Sequence, residues 1–288
     1  MANNPSQPSS YERKNLVTII VATLILSLET LFGFYALERR TKRFSREMRR
    51  TLKMVITKLS MDDDAVVYVK GVKFWVPNFP ADFIQRVIVA GEFFEQETLE
   101  VMDKYLSEDS VVFDIGANLG NHSLYWAKVS QGGRGVRRVH AFEPVDSTFA
   151  ILKKNMELNG LAAGDRVVIN NVALGARESR ASIDFYHLDN IGGTGIKTDA
   201  DGTIRIISLD DYVASGAFRD EKIDLLKIDV EGFEDEVLAG ARKTLEKYGP
   251  KIFIEAWENN FDKVNELLLS LGYGLEKYLG GADYLYSK

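Results

Sequence analysis

Wholly apolar runs alternate with helical periodicities along most of the chain after residue 110. Val111, Val112 and Phe113 open a stretch without a polar position, which predicts a strand buried on both faces. After a turn, Leu124, Tyr125 and Trp126 resume at helical spacing, predicting a helix over 120–130. The alternation continues with a strand at 138–142, a helix at 146–158, strands at 166–172 and 223–229, a helix at 233–247, a strand at 251–256 and a helix at 261–271. Two closing strands follow at 273–278 and 283–287. Upstream, residues 65–77 alternate around Gly71 as a β-hairpin ended by Pro77 and Pro80, and residues 81–106 carry helical patterns. Strands alternating with helices imply right-handed crossovers and an α/β fold with a doubly wound, mainly parallel sheet. In such sheets the ligand lies beyond the carboxyl ends of the strands.

A different pattern occupies the beginning of the chain. Residues 16–37 are apolar except for a few hydroxyls and Glu29, and as a helix they would extend roughly 33 Å, about one hydrocarbon core. They read as a single transmembrane anchor. A segment lying in the membrane plane or pairing with another helix is the alternative, because Glu29 is costly within a span. A cleaved signal is disfavoured by the long apolar stretch and the absence of a small-residue cleavage site. Residues 1–15 then form a short polar tail and 38–64 a basic juxtamembrane helix or linker. Residues 65–288 form the globular domain. Arg13 and Lys14 precede the apolar stretch, whereas eight Lys/Arg between Arg39 and Lys53 follow it, which places the globular domain on the cytoplasmic side. The sequon Asn121-His122-Ser123 falls inside the predicted ligand turn, where a glycan could not be accommodated, and so favours the same side.

Composition sharpens this division. Of 288 residues 45% are hydrophobic and 11% aromatic, enough for a sizeable core. Residues 1–60 hold 11 Lys/Arg against 4 Asp/Glu, a net +7, and residues 61–288 hold 25 against 38, a net −13. The acidic body argues against nucleic acid as a partner. The absence of cysteine excludes disulfides, thiolate metal sites and cysteine nucleophiles.

The strand ends carry the candidate chemistry. Asp114 closes the first core strand and is followed by Gly116 and Gly120 in "GANLG", a turn that presents main-chain N–H groups and a helix N-terminus to a polar ligand. Its G-x-x-x-G spacing matches neither the dinucleotide fingerprint nor the phosphate loop, so a polyphosphate is not expected. The next strand delivers Glu143 in "HAFEP", where a carboxylate can accept both hydroxyls of a ribose diol. A nucleoside-containing ligand follows. Asp229 and Glu231 close "LLKIDVEG" two residues apart; one could take a proton while the other orients it, or both could hold a divalent ion, and no metal site is assigned. Lys227, within the same buried strand, needs a carboxylate partner.

Taken in order, "FDIGANLGNHSLYWA", "VHAFEP", "NVALG", "SLDDYV", "LLKIDVEGFEDEVLAGA" and "IFIEAWE" make residues 65–288 resemble the FkbM family of class I S-adenosylmethionine-dependent methyltransferases. The resemblance implies a Rossmann-like methyltransferase sheet with an antiparallel last strand. It implies S-adenosylmethionine as methyl donor and a hydroxyl of a sugar, glycolipid or similar small molecule as acceptor. It also places Gly116, Asn118, Gly120 and Asn121 at the methionine end, Glu143 at the ribose and Asn171 to Ala173 at the adenine, with Glu95 closing the pocket. The turn suits an aminoacid-sulfonium tail, with Asp114 to meet its ammonium. Candidates for the base that takes the hydroxyl proton are Asp229 and Glu231 first, His122 next, then His187 and Glu255, while His140 within its strand reads as structural. The glycine-rich stretch 185–197 resembles the family's variable substrate loop. The anchor is an addition to the family pattern and points to a membrane-associated acceptor. Two other readings remain: a membrane-tethered nucleoside-binding module without catalysis, and an NAD-dependent oxidoreductase, which the missing third glycine disfavours.

Overall fold

The computed structural model describes residues 66–288 except 80, 186–190, 217 and 221. The expected tail, anchor and basic linker, as well as His187, therefore lie outside the described residues. Among the described residues no helix is long and apolar enough to cross a membrane.

In chain order the strands are β1 (Val66–Val69), β2 (Val72–Trp75), β3 (Val111–Ile115), β4 (Arg138–Phe142), β5 (Val167–Asn170), β6 (Ala173–Leu174), β7 (Ser179–Phe185), β8 (Gly195–Thr198), β9 (Ile204–Ile207), β10 (Leu225–Ile228), β11 (Lys251–Glu255), β12 (Gly274–Gly280) and β13 (Asp283–Ser287). Seven of them make one sheet in the order β12-β13-β11-β10-β3-β4-β5. The five from β11 to β5 are parallel, and β13 and β12 add an antiparallel edge. Every residue of β3 and β10 is buried, Asp114 and Lys227 included among their apolar neighbours. One face packs Phe74, Phe93, Trp126 and Leu152; the other packs Phe113, Leu226, Leu238 and Ile254. The β1–β2 hairpin is fastened to helix Asp146–Leu158 and its end by side-chain amides: Asn155 accepts from the Trp75 N–H (2.7 Å), and Asn159 both accepts from and donates to the Lys73 backbone.

The structure departs from the sequence expectation in three places. The strand expected over 166–172 leaves the main sheet at Asn170, and Ala173–Leu174 begins a second, four-stranded sheet in the order β6-β9-β7-β8. The helical stretch 81–106 is two helices, Phe83–Val89 and Gln96–Asp103, parted by Gly91 at φ +90° and Glu95 at φ +54°. The helix expected over 233–247 breaks into Glu234–Ala239 and Arg242–Tyr248. There Gly240 lies so close to the Gly175 carbonyl that a Cβ could not fit. Asp210, from another helix, caps the second piece by accepting from the N–H groups of Lys243 (3.1 Å) and Thr244 (2.8 Å).

Candidate active site

Strands β3, β4, β10 and β11 end on the same side, and their ends surround a cavity of about 240 Å³. Gly116 forms its floor at φ +80°. Its N–H and that of Ala117 bond to the Phe142 carbonyl (3.1 and 2.9 Å), and its own carbonyl accepts from Lys227 Nζ (2.7 Å). A Cβ at Gly116 would collide with the Asp229 carbonyl, so this turn requires glycine for conformation and for space. Asn118 follows at φ +51° and also lines the cavity.

Glu143 is buried at the end of β4. Its Oε2 accepts from the Asn118 N–H (3.0 Å) and its Oε1 from the Val145 N–H (2.9 Å), so each oxygen retains capacity for another donor. Burial outweighs these hydrogen bonds and pushes its carboxyl up to about 7. Val145, Val172 and Leu174 form an apolar wall beside it, and the Thr148 hydroxyl, buried on the same side, has no hydrogen-bond partner. A buried orphan hydroxyl next to an acid that can accept two hydroxyls fits a nucleoside better than an empty core.

The opposite side is acidic. Asp229, Glu231 and Glu255 each offer an oxygen within 4.8 Å of the others, a spacing that suits a shared proton or a cation. Burial alone would raise Asp229, but Lys227 at 3.2 Å and a hydrogen bond from Glu255 hold it below the usual carboxylate range. Glu255 is raised, first by burial and then by Asp229, so that it keeps its proton and donates it to Asp229. Burial, followed by the nearby Asp229 and Glu234 charges, pushes Glu231 up to about 7. Glu231 also sits at φ +55°, a left-handed conformation that costs a non-glycine residue of order 1 kcal/mol or more and is concentrated at functional sites.

A family model described as the methyltransferase FkbM domain matches residues 114–275 of this chain. The chain belongs to the FkbM methyltransferase family. It is 30% identical over 152 residues to the hexuronic acid methyltransferase AglP of Haloferax volcanii, over 53% of this chain and 58% of that protein. It is 29% identical over 160 residues to the 2-O-methyltransferase NoeI of Sinorhizobium fredii, over 48% of this chain and 60% of that protein. The chain thus spans about three fifths of the length of these two relatives. The solved structure of a methyltransferase FkbM from Methylobacillus flagellatus aligns with a TM-score of 0.46 at 19% identity, over 71% of this chain and 52% of that one.

Of the residues that the sequence singled out, Gly116, Asn118, Glu143, Val172, Ala173, Asp229, Glu231 and Glu255 line the cavity. Glu95, Asp114, Gly120, Asn121, His122 and Asn171 are not among its lining residues. Asp114 was expected to meet the ligand; instead it is fully buried, taking a hydrogen bond from Ser123 Oγ (2.6 Å) and lying 3.4 Å from Lys227 Nζ. The reason is register: Asp114 and Lys227 are directly opposed on parallel strands, so their side chains meet. Gly120 sits where a Cβ would press on Leu152 and Met156, which makes it a packing position. Asn121 clasps the backbone of Phe94 with both ends of its amide (2.9 and 3.0 Å), steadying a residue that does line the cavity. His122 is buried 3.3 Å from Glu95. Asn171 donates to the Glu143 and Pro144 carbonyls and leaves Val172, Ala173 and Leu174 to form the wall. His140 is structural, bonded to Tyr212 and Asp220 inside its strand. The stretch 185–197 contributes Gly192, Gly193, Thr194 and Ile196 to the cavity, and Gly192 packs against the Asn118 amide. Thr148 and Trp257 escaped the sequence reading. Thr148 lies one turn into a helix with no motif of its own, whereas Trp257 stands two residues after Glu255, itself a candidate base, in "IEAWE" at the end of β11.

Proposed function

We propose that this protein is an S-adenosylmethionine-dependent O-methyltransferase acting on a sugar hydroxyl, held at a membrane by residues 16–37 with its catalytic domain on the cytoplasmic side. The observation that carries the reading is Glu143: a buried carboxylate with one backbone donor on each oxygen, beside the orphan Thr148 hydroxyl and an apolar wall. These groups would hold the adenosine half, with Glu143 accepting from the ribose hydroxyls and Val172 to Leu174 flanking the base. Gly116, Asn118 and the acids around Asp229 would receive the cationic amino-acid half. The bound cofactor supplies a methyl group already activated by its sulfonium charge. Glu231 faces the same space, and with its carboxyl near 7 it is matched to take the proton of an acceptor hydroxyl at neutral pH. Asp229, pinned ionised by Lys227, and Glu255, which keeps its proton, orient that hydroxyl.

The sugar acceptor is supported by family membership and by what AglP and NoeI are named for. The anchor rests on the apolar stretch and its basic flank. Two experiments test the proposal. Calorimetry with S-adenosylmethionine, S-adenosylhomocysteine and NAD should give binding of the first two, which Glu143→Ala abolishes. Transfer of labelled methyl from S-adenosylmethionine to a panel of methyl glycosides should then follow. Binding of NAD alone would return the oxidoreductase reading, and cofactor binding with no transfer to any hydroxyl compound would return the silent module. Recovery of the full chain in the membrane fraction, resistant to salt and carbonate, checks the anchor.

A further inference from the structure

Several elements that line the cavity also turn apolar side chains outward. Phe83 is 47% exposed; its ring meets that of Phe94 edge-on at 6.0 Å, and Phe94 and the adjacent Ile84 both line the cavity. Trp257, another lining residue, is 55% exposed. On β7, Ile183 and Phe185 are exposed as well; they pair with Ile196 and Gly195 of β8, and Ile196 lines the cavity. A Cβ at Gly192, just before β8, would press on Ile84, so the segment leading into β8 meets helix Phe83–Val89 beside the cavity. The Arg86 guanidinium lies over the Phe83 ring at 5.5 Å. An aromatic ring with a cation beside it suits a membrane–water boundary, the ring among acyl chains and the cation among phosphates.

The chain enters the domain on this side. Helix Asp146–Leu158 has Thr148 in the cavity wall near its start, and Asn155 and then Asn159, just past its end, lie successively farther from the cavity. Asn155 is bonded to Trp75 and Asn159 to Lys73, and in the β1–β2 hairpin Trp75 pairs with Val66 and Lys73 with Tyr68. β1 therefore starts at its cavity end and runs away from the cavity.

We infer that the mouth of the cavity seats on a lipid bilayer through Phe83, Trp257 and the β7–β8 hairpin, so that the acceptor hydroxyl is one carried at the level of the lipid headgroups. The inference rests on the anchor of the proposed function and adds the orientation of the domain, which an anchor alone leaves open. The apolar residues 16–37 and the basic run from Arg39 to Lys53 precede β1, and β1 begins on the side of the mouth. A tether arriving there brings the mouth to the membrane surface and leaves the opposite end of the sheet in water. Apolar side chains gathered around one opening are costly in water and gain free energy at the boundary of headgroups and acyl chains.

The test reads depth from tryptophan emission in the full chain, reconstituted in vesicles of phosphatidylglycerol and phosphatidylcholine, the latter brominated on its acyl chains. Of the three tryptophans Trp126 is buried and Trp75 half-buried, so the quenching lost in Trp257→Phe is that of Trp257. In the Trp257→Phe background, tryptophan is then placed at Phe83 or at Leu269, which is exposed roughly 18 Å from Trp257 along helix Glu258–Ser270. Side chains seated roughly 5–10 Å into the boundary come within reach of the bromines, so quenching should be about twofold or more stronger at 257 and 83 than at 269. If the chain resists carbonate extraction while 257 and 83 are not quenched, the anchor stands and the seating is overturned. Equal quenching at all three positions also overturns it, because no one face then meets the lipid. If the chain does not stay with the vesicles, the anchor itself falls and takes the seating with it.

Discussion

Lys227 Nζ lies 3.2 Å from Asp229 Oδ2, and the same ammonium reaches Asp114 at 3.4 Å and the Gly116 carbonyl at 2.7 Å. Burial by itself would lower the lysine, but Asp229, Asp114 and Glu95 outweigh it and raise it, so it is charged at any pH at which the protein folds. One buried cation thus pairs with two strand-end acids and holds the glycine turn in place.

Removing it should be expensive. Lys227→Met leaves Asp114 buried and unpaired, and breaking a buried ion pair from one side costs about 3–5 kcal/mol. Urea unfolding should show a loss of this order, and adding Asp114→Asn should recover part of it. If the single variant unfolds like the parent protein, the clamp is not what supports the turn.

Glu143 should make cofactor binding depend on pH. Its carboxyl stands at about 7, so it is mostly protonated at pH 6 and mostly ionised at pH 8. Ribose hydroxyls donate to the ionised form, so the affinity for S-adenosylhomocysteine should rise up to about 10-fold between those pH values, with release of a proton. The sign for stability is opposite: a carboxyl raised from 4.5 makes the free fold bind its proton more tightly than the unfolded chain, so this contribution falls away as pH rises from about 4.5 to 7. Calorimetry in buffers of different ionisation enthalpy reads the proton directly. A flat affinity from pH 6 to 8 would mean that Glu143 is not the ribose acceptor.

Thr148 separates binding from folding. Its hydroxyl is buried without a partner, so Thr148→Val should leave the melting temperature of the free protein unchanged or slightly raised. The same change should weaken S-adenosylhomocysteine binding by about 5- to 15-fold, the worth of one hydrogen bond of about 1 kcal/mol or a little more. Thermal melts with and without ligand measure both effects on one sample. A fall in stability without ligand would place the hydroxyl in the structural framework instead.

Glu231 should carry the pH dependence of turnover. With its carboxyl near 7, kcat/KM at saturating cofactor should rise with pH and level off above about 8, since the base must be ionised to take a proton. Glu231→Gln should lower kcat by about 10²- to 10⁴-fold and flatten that rise. A full pH dependence surviving in the glutamine variant would move the proton-accepting role to Asp229 or Glu255.

Much of the central sheet was legible because burial on both faces leaves a plain mark: nothing polar interrupts 111–113, and the strands at 138–142, 225–228 and 251–255 lie within a residue or two of where the runs predicted them. The second sheet was harder. Its strands are short and alternate with exposed residues, and β6 is two residues long, so its pairing with β9 cannot be read from local pattern. The break near Gly240 was invisible for a related reason: it depends on Asp210 and Gly175, which are distant in sequence.

The sequence by itself determined the alternation of strands and helices, the edge of the sheet at which ligand chemistry must gather, and the identity of most residues there, because strand-end position and residue type are local properties. Only the tertiary structure decided how the acids divide their roles. Asp114 and Glu143 both follow apolar strands and look alike as text, yet the register of β3 against β10 sets Asp114 opposite Lys227, while Glu143 closes β4 with no cation directly opposed and opens to the cavity. Register, burial and the nearest cation are set by contacts across more than a hundred residues, and they determine which carboxylate holds the fold and which is free to meet a ligand.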